Sequence, residues 1–310
     1  MDFKHDEQQL LLELHAPNEN MLFFLKEAAA AHILEIDPVA GENLVWFGLE
    51  NSAKEDGTPV NFSEFQLVDR KEVFPGMIRL TLLSEGLSNF STDGLHVKLM
   101  RPETRKEIPV WPSVAQNGMT VWPSGTDKLH VRYFTIRNVR AETGEIDIDV
   151  VQHSGGMISD WATHAEEGEL IGIMGPGGGG IPEVEGELLL TGDETALPAI
   201  ARILEGLPED QKGKILASAP TREILHSYLP KSNMEYHWIE QYAFRVECES
   251  FVCDLYKDGS YPEYGWFGGE FSNANAMRKL FKDKFCLSKG KQLSVSYWEM
   301  GKRGAADQLE

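Results

Sequence analysis

The chain has 310 residues, enough for two ordinary domains plus an extension and for cores of useful size. Its 49 acidic against 29 basic residues give a formal charge of −20, which argues against nucleic acid, whose phosphates such a surface would repel. No run approaches the ~20 apolar residues of a membrane span, and the start, Met1-Asp2-Phe3-Lys4, has no signal-peptide pattern.

Residues 1–64 read as an extension. A strand is predicted over 10–14, a helix with an alanine-rich end over 20–32, a second strand over 43–49, and a loop over 51–61. Residues 65–182 read as β-rich, with strands over 65–84, 96–100, 130–140, 146–153 and 170–174. Ile146, Ile148 and Val150 alternate with Asp147 and Asp149, the pattern of a half-buried strand. Several strands before any long helix predict an antiparallel barrel.

Residues 183–300 change rhythm. A short apolar run, Leu188-Leu189-Leu190, is of the fully buried strand type. A helix follows over 194–207, with Leu197, Ile200, Ala201 and Leu204 at helical spacing. Strands over 215–217, 235–239, 265–268 and 292–298 alternate with helices over 221–229 and 273–285. That order predicts a parallel sheet with helices on both faces, whose ligands bind beyond the carboxyl ends of the strands. Gly192-Asp193-Glu194-Thr195 and Gly268-Gly269-Glu270 fall at such ends. The polar tail, 301–310, is expected to fray. The expected fold class is thus β followed by α/β: an antiparallel barrel, a parallel nucleotide-binding sheet and a small N-terminal α/β extension.

The chemistry concentrates between Arg132 and Gly180. On a strand, Arg132, Phe134 and Ile136 share one face. The fork of an arginine matches a phosphate, and Phe134 could lie against a flat ring. Gly155-Gly156 allows close backbone approach, and a helix over 157–165 would turn its free N–H groups toward a pyrophosphate. The order suits a flavin dinucleotide bound by the barrel. The alternative is a plain hairpin with a core phenylalanine and a surface arginine. Cys248, Cys253 and Cys286 offer neither a CxxC pair nor zinc spacing, and an odd, sparse count points to reduced thiols in a cytoplasm. No iron–sulfur pattern is present.

These motifs resemble the siderophore-interacting proteins, the ferric-siderophore reductases of the ferredoxin-reductase-like superfamily. The family strand reads Arg-x-Tyr-Thr-x-Arg; here it is Arg132-Tyr133-Phe134-Thr135-Ile136-Arg137. The family's glycine turn, with Pro-Ala-Ser and x-Trp-Ala after it, is here His153-Ser154-Gly155-Gly156-Met157-Ile158-Ser159-Asp160-Trp161-Ala162. Thr191-Gly192-Asp193-Glu194-Thr195-Ala196-Leu197-Pro198-Ala199 matches almost letter for letter, and Gly265-Trp266-Phe267-Gly268-Gly269-Glu270 and Tyr297-Trp298 complete the set. Departures are Phe134 for tyrosine, Met157 and Ile158 for Pro-Ala, and Glu299 where the family commonly has a basic residue. The extension resembles, more distantly, a small accessory module found with this family.

The resemblance implies FAD held by Arg132, Phe134, Thr135, Val151, His153, Gly155, Gly156, Met157, Ile158 and Ser159. It implies a nicotinamide nucleotide held by Gly192, Asp193, Glu194, Thr195, Pro198, Ser218, Arg222, Gly269 and Glu270, with Tyr297 and Trp298 beside the flavin. For His153 the alternative is a satisfied structural residue. The implied reaction is hydride transfer from nucleotide to flavin, then single electrons to a ferric siderophore, whose iron needs no protein ligand; no protein metal site is expected. Lys98, Arg137, Lys302 and Arg303 are candidate cations for an anionic chelate, or simply solvated charges. No carboxylate follows the strand over 215–217, only Ser218, Thr221 and Arg222, which favours NADPH over NADH; the alternative is that Thr221 caps a helix and Arg222 is solvated. No obligatory protein partner is evident. Rival readings are a general flavin or ferredoxin-type reductase, and a flavoprotein that binds or senses siderophores without turnover.

Overall fold

The computed structural model describes residues 2–5, 10–16, 19–47, 53–85, 87–90, 94–104, 106, 108–116 and 118–302. The extension opens with an antiparallel hairpin, β1 (Asp2–His5) and β2 (Leu10–Glu13). Helices α1 (Glu19–Ile36) and α2 (Pro38–Glu42) follow. Asp37 starts α2 by accepting from the amides of Val39 and Ala40, with a proline in the first turn. The strand expected over 43–49 does not form: residues 43–47 lack strand pairing, and 48–49 lie outside the described residues. The cause is local. Asn43 caps α2, its side-chain amide donating to Val39 O at 2.8 Å, and Trp46 Nε1 donates to Met119 Sδ at 3.2 Å.

The barrel begins with β3 (Phe62–Phe74) and β4 (Met77–Leu83). They are one hairpin, turned at Pro75-Gly76, where the sequence suggested a continuous strand. Next comes β5 (His96–Pro102), then an excursion carrying the small hairpin β6 (Ser113–Val114) and β7 (Thr120–Val121). Then β8 (Leu129–Arg140), β9 (Glu145–Val151), helix α3 (Met157–His164) and β10 (Leu170–Gly177) complete it. The strands close in the order β10-β3-β4-β9-β8-β5, all antiparallel. Closure removes sheet edges. Leu67, Leu80, Leu82, Leu99, Ile148 and Ile173 fill the interior, and α3 covers it with Ile158, Trp161 and Ala162. Outside, Phe23 of α1 joins Phe62, Met100, Leu129 and Met174. Burying that one phenylalanine contributes roughly 1.5–3 kcal/mol toward holding the extension on the barrel.

The second half alternates β11 (Leu188–Gly192), α4 (Leu197–Gly206), β12 (Gly213–Ser218), α5 (Arg222–Tyr228), β13 (Glu235–Ile239), α6 (Gln241–Leu255), β14 (Tyr264–Glu270), α7 (Phe271–Asp283) and β15 (Gln292–Trp298). All its strand pairs are parallel, in the order β13-β12-β11-β14-β15, so the chain reverses direction across the sheet between β11 and β14. Leu188 and Leu190 face α4 and α5, while Leu189 and Phe267 face α6 and α7. Helix α6 was not foreseen from the sequence. Its apolar stripe is narrow, Phe244, Cys248 and Val252, and its cap is Glu240 rather than a short hydroxyl or amide residue.

A polar seam joins the two halves. Asp149 of β9 takes two 2.7 Å bonds from Arg79 of β4, and Tyr228 of α5 donates to its Oδ2 at 2.5 Å. Arg202 of α4 donates to Ile136 O of β8 at 3.2 Å, and Arg137 pairs with Glu205 of α4 at 2.9 Å.

Candidate cofactor and acceptor site

Strand β8 places Arg132, Phe134 and Ile136 on one face, as alternation requires. That face is turned toward the barrel core: Ile136 is fully buried in it and Phe134 packs half-buried against it. Arg132 Nη1 donates to Val131 O at 2.7 Å. The opposite face carries Tyr133, paired with Lys98, and Thr135, paired with His96. His96 is central here. Its Nδ1 lies 3.3 Å from Thr135 Oγ1, and its Nε2 lies 3.3 Å from the hydroxyl of Tyr297 at the end of β15. Burial, with Arg202 nearby, pushes the imidazole down to about 4, so it is neutral at pH 7. Burial raises the Tyr297 phenol.

After β9, whose last residue Val151 packs under Phe74 and Met77, the chain enters the glycine turn. The exposed His153 ring lies against Gly156, where an added Cβ would fall 2.1 Å from its Cε1, so a side chain there would push the ring aside. Ser159 is buried. Its hydroxyl accepts from the His153 amide at 2.8 Å and donates to the His153 carbonyl at 3.0 Å, closing the turn. Gly156 caps α3 with no side-chain hydrogen bond. The amides of Met157, Ile158 and Ser159 therefore start a helix without a protein side chain over them. Ile158 points into the barrel core, whereas Gly155 and Met157 line an open cleft with Arg101, Trp161 and Glu169.

At the carboxyl edge of the sheet, Asp193 is the hub. It is 1% exposed and accepts from Thr195 N at 2.9 Å and Thr195 Oγ1 through Oδ1. Through Oδ2 it accepts from Glu270 N at 3.1 Å and Trp298 Nε1 at 2.8 Å. Burial, then the neighbouring Glu194, raise its carboxyl to about 6. A Cβ at Gly269 would sit 2.7 Å from Asp193 Oδ2, so Gly192, Asp193, Gly269 and Trp298 form one compact knot. Pro198 is buried within α4.

Several residues named from the sequence are engaged within the protein itself. Glu270 is spent as the cap of α7, bonded to the Ser272 and Asn273 amides, while its other oxygen accepts from Met300 N. Ser218 is fully buried and its hydroxyl donates to Glu194 Oε2 at 3.3 Å. Thr221 caps α5, and the exposed Arg222 bonds to His226 one turn on, which is the alternative weighed above. A carboxylate does stand at the end of β12, because Glu194 crosses to it from β11. Arg245 of α6 pairs with Glu194 at 3.2 Å and lies 5.4 Å from the Trp298 ring centroid. Arg245 carries no local signal, since its neighbours Glu194 and Trp298 come from two segments distant in the chain. Arg137 is 9% exposed and bound to Glu205 in the seam. Lys302 is exposed and paired with Glu299 at 2.9 Å. Arg303 lies outside the described residues. Lys98 remains, flanked by Trp122 and Tyr133 with ring centroids at 5.5 and 5.7 Å. His96 was within reach of the sequence, two residues before Lys98 and so on its face.

Known proteins share this fold. Residues 66–180 match the siderophore-interacting FAD-binding domain, and residues 186–301 match the siderophore-interacting protein model. The chain belongs to the siderophore-interacting protein family. Within it, the ferric vibriobactin reductase ViuB of Vibrio cholerae is 28% identical over 249 residues, covering 77% of this chain and 90% of that one. The NADPH-dependent ferric-chelate reductase of Escherichia coli is 31% identical over 151 residues, 48% of this chain and 58% of that one. The crystal structure of the siderophore-interacting protein SipS from Aeromonas hydrophila superposes with a TM-score of 0.67 at 27% identity, over 81% of this chain and 96% of that one. The family's FAD fits the residues present: the bare helix start at Gly156 offers amide donors suited to a pyrophosphate. No described helix is long and apolar enough to cross a membrane.

Proposed function

We propose that the protein is an FAD-dependent oxidoreductase that takes a hydride from a nicotinamide nucleotide and reduces a ferric siderophore, releasing iron as Fe(II). One observation carries this reading. Tyr297, at the carboxyl end of the sheet's edge strand, reaches His96 and Thr135 on the barrel strand pair that bears the Arg132-x-Phe134-Thr135 motif. The ends of a flavin-type barrel and a nucleotide-type sheet thus meet at one point, as hydride transfer requires.

In this reading, residues 65–182 bind FAD and residues 183–300 bind the nucleotide. Arg132 and the amides of Met157, Ile158 and Ser159 hold the pyrophosphate. Tyr297 lies beside the flavin ring on the Thr135 face of β8, and Phe134, on the core face, supports that strand from behind. When bound, FAD supplies the conversion of a hydride into single electrons. Neutral His96 orients the Thr135 and Tyr297 hydroxyls without adding charge. The Asp193 knot fixes where Trp298 stands. Arg245, held by Glu194 beside Trp298, offers a cation to a 2′-phosphate, whereas Glu194 at the end of β12 suits the 2′-hydroxyl of NADH, so this pair rather than Arg222 sets the nucleotide preference. Lys98 faces the ferric siderophore. Three free cysteines, one of them buried, fit a reducing cytoplasm.

The test is spectroscopic. Purified protein should absorb near ~450 nm, a general flavin property, and anaerobic NADPH should bleach that band. An iron(II)-trapping dye should then report iron release from ferric chelates. Protein that neither carries nor takes up FAD would refute the reading.

A further inference from the structure

The matched family models start at residue 66, so the extension lies outside both. Helix α1 nevertheless packs on the barrel face that carries Lys98. Lys26 is fully buried, donates to Gly118 O and lies 4.4 Å from the Phe23 ring centroid. The next residue, Glu27, accepts from Thr120 Oγ1 at 2.9 Å. These two contacts clamp the hairpin of β6 and β7 onto α1. They also fix Glu27 at a small cavity shared with Asn61, His96, Lys98 and Tyr133. The cavity, about 20 Å³, has room for one water or one small polar group. Asn61 is 4% exposed and its Oδ1 has no hydrogen-bond partner, so a buried acceptor waits in this pocket for a donor. Tyr133, 60% exposed, stands among the same lining residues.

We propose that α1 completes the acceptor site and that Glu27 makes it select ferric chelates of low net charge, of the neutral hydroxamate type, over triply anionic triscatecholates. The proposal rests on the ferric-siderophore reading above. Lys98 alone would favour polyanions. Glu27 opposes it within the same pocket, and the chain's charge of −20 adds repulsion at longer range. What remains attractive is uncharged: the faces of Trp122 and Tyr133 for a ligand's apolar arms, and Asn61 Oδ1 for an N–H or O–H donor. Removing one carboxylate charge about 10 Å from a triply charged chelate in water should change its relative affinity on the order of five- to tenfold at low salt.

The test uses the full chain with FAD and two chelates, a neutral ferric trishydroxamate and a ferric triscatecholate. Iron(II) release gives kcat/KM for each. Quenching of protein fluorescence by the redox-inert gallium(III) forms gives affinity without turnover. Wild type should favour the hydroxamate by both measures. Glu27→Gln should lower that preference about five- to tenfold, Glu27→Lys should reverse it, and Lys98→Gln should raise it. A preference unchanged within about twofold in both Glu27 variants, or wild type favouring the triscatecholate, overturns the proposal. If NADPH bleaches the flavin yet neither chelate yields iron(II), the ferric-siderophore reading falls, and the gallium ratios still decide Glu27.

Discussion

Tyr228→Phe isolates one atom of the seam between the two halves. The ring stays, so its edge-on contact with Phe74 (centroids 5.7 Å, 83°) is kept. Only the hydroxyl that donates to Asp149 Oδ2 at 2.5 Å is lost. The Asp149 side chain has no solvent exposure, so water cannot replace that donor, while Arg79 continues to supply two bonds of 2.7 Å. A hydrogen bond to a buried charged group is worth roughly 1.5–3 kcal/mol, so the expected loss is about 2 kcal/mol. Urea unfolding followed by tryptophan fluorescence should show the midpoint fall with little change of slope. A cycle with Asp149→Asn should give a coupling above about 1 kcal/mol. A loss below roughly 0.5 kcal/mol, or no coupling, would refute the claim that this contact joins the halves.

Arg132→Ala should weaken FAD binding by on the order of 1.5–3 kcal/mol, read by flavin titration, and unchanged affinity would remove Arg132 from the pyrophosphate. Arg245→Ala should weaken 2′,5′-ADP, measured by calorimetry, about tenfold or more, while Arg222→Ala should stay within about twofold. For Asp193 the folded value of about 6 lies above the ordinary 3.8, so its stabilising proton is fully held below 3.8 and lost as pH rises through 6. Stability should accordingly fall between about pH 4 and 6 by up to about 3 kcal/mol from this group, and Asp193→Asn, which cannot titrate, should flatten that fall. Phe23→Ala should cost roughly 3–5 kcal/mol of the packing that holds α1, seen as protease sensitivity confined to the extension.

Much of the architecture was legible because period and order carry it. Ile146, Ile148 and Val150 read as an inward face and are the inward face. The apolar run at Leu188 read as a doubly covered strand and lies between helices on both sides. The site was legible only as motifs along the chain. Asp193 and Glu270 stood out as a pair of nucleotide contacts, yet one binds three strand ends together and the other caps α7. Ser218 and Arg137 are polar residues whose partners, Glu194 and Glu205, come from other elements, so burial hid what composition displayed. Residues 43–47, part of a stretch expected as a strand, lack strand pairing. Cross-chain assembly, at Arg245 and at Glu27, leaves no local signature.

The seam also sets how the molecule can open. A hinge between the halves would strip the Tyr228 hydrogen bond from Asp149 and separate Arg137 from Glu205, while the Arg79–Asp149 pair, wholly within the barrel, would stay intact. Tyr297 stands at the same junction, packed on Trp266 and against Gly268 with its hydroxyl 3.3 Å from His96 Nε2. The meeting point of barrel and sheet is thus held by aromatic packing as well as by the seam, so loosening it would disturb both.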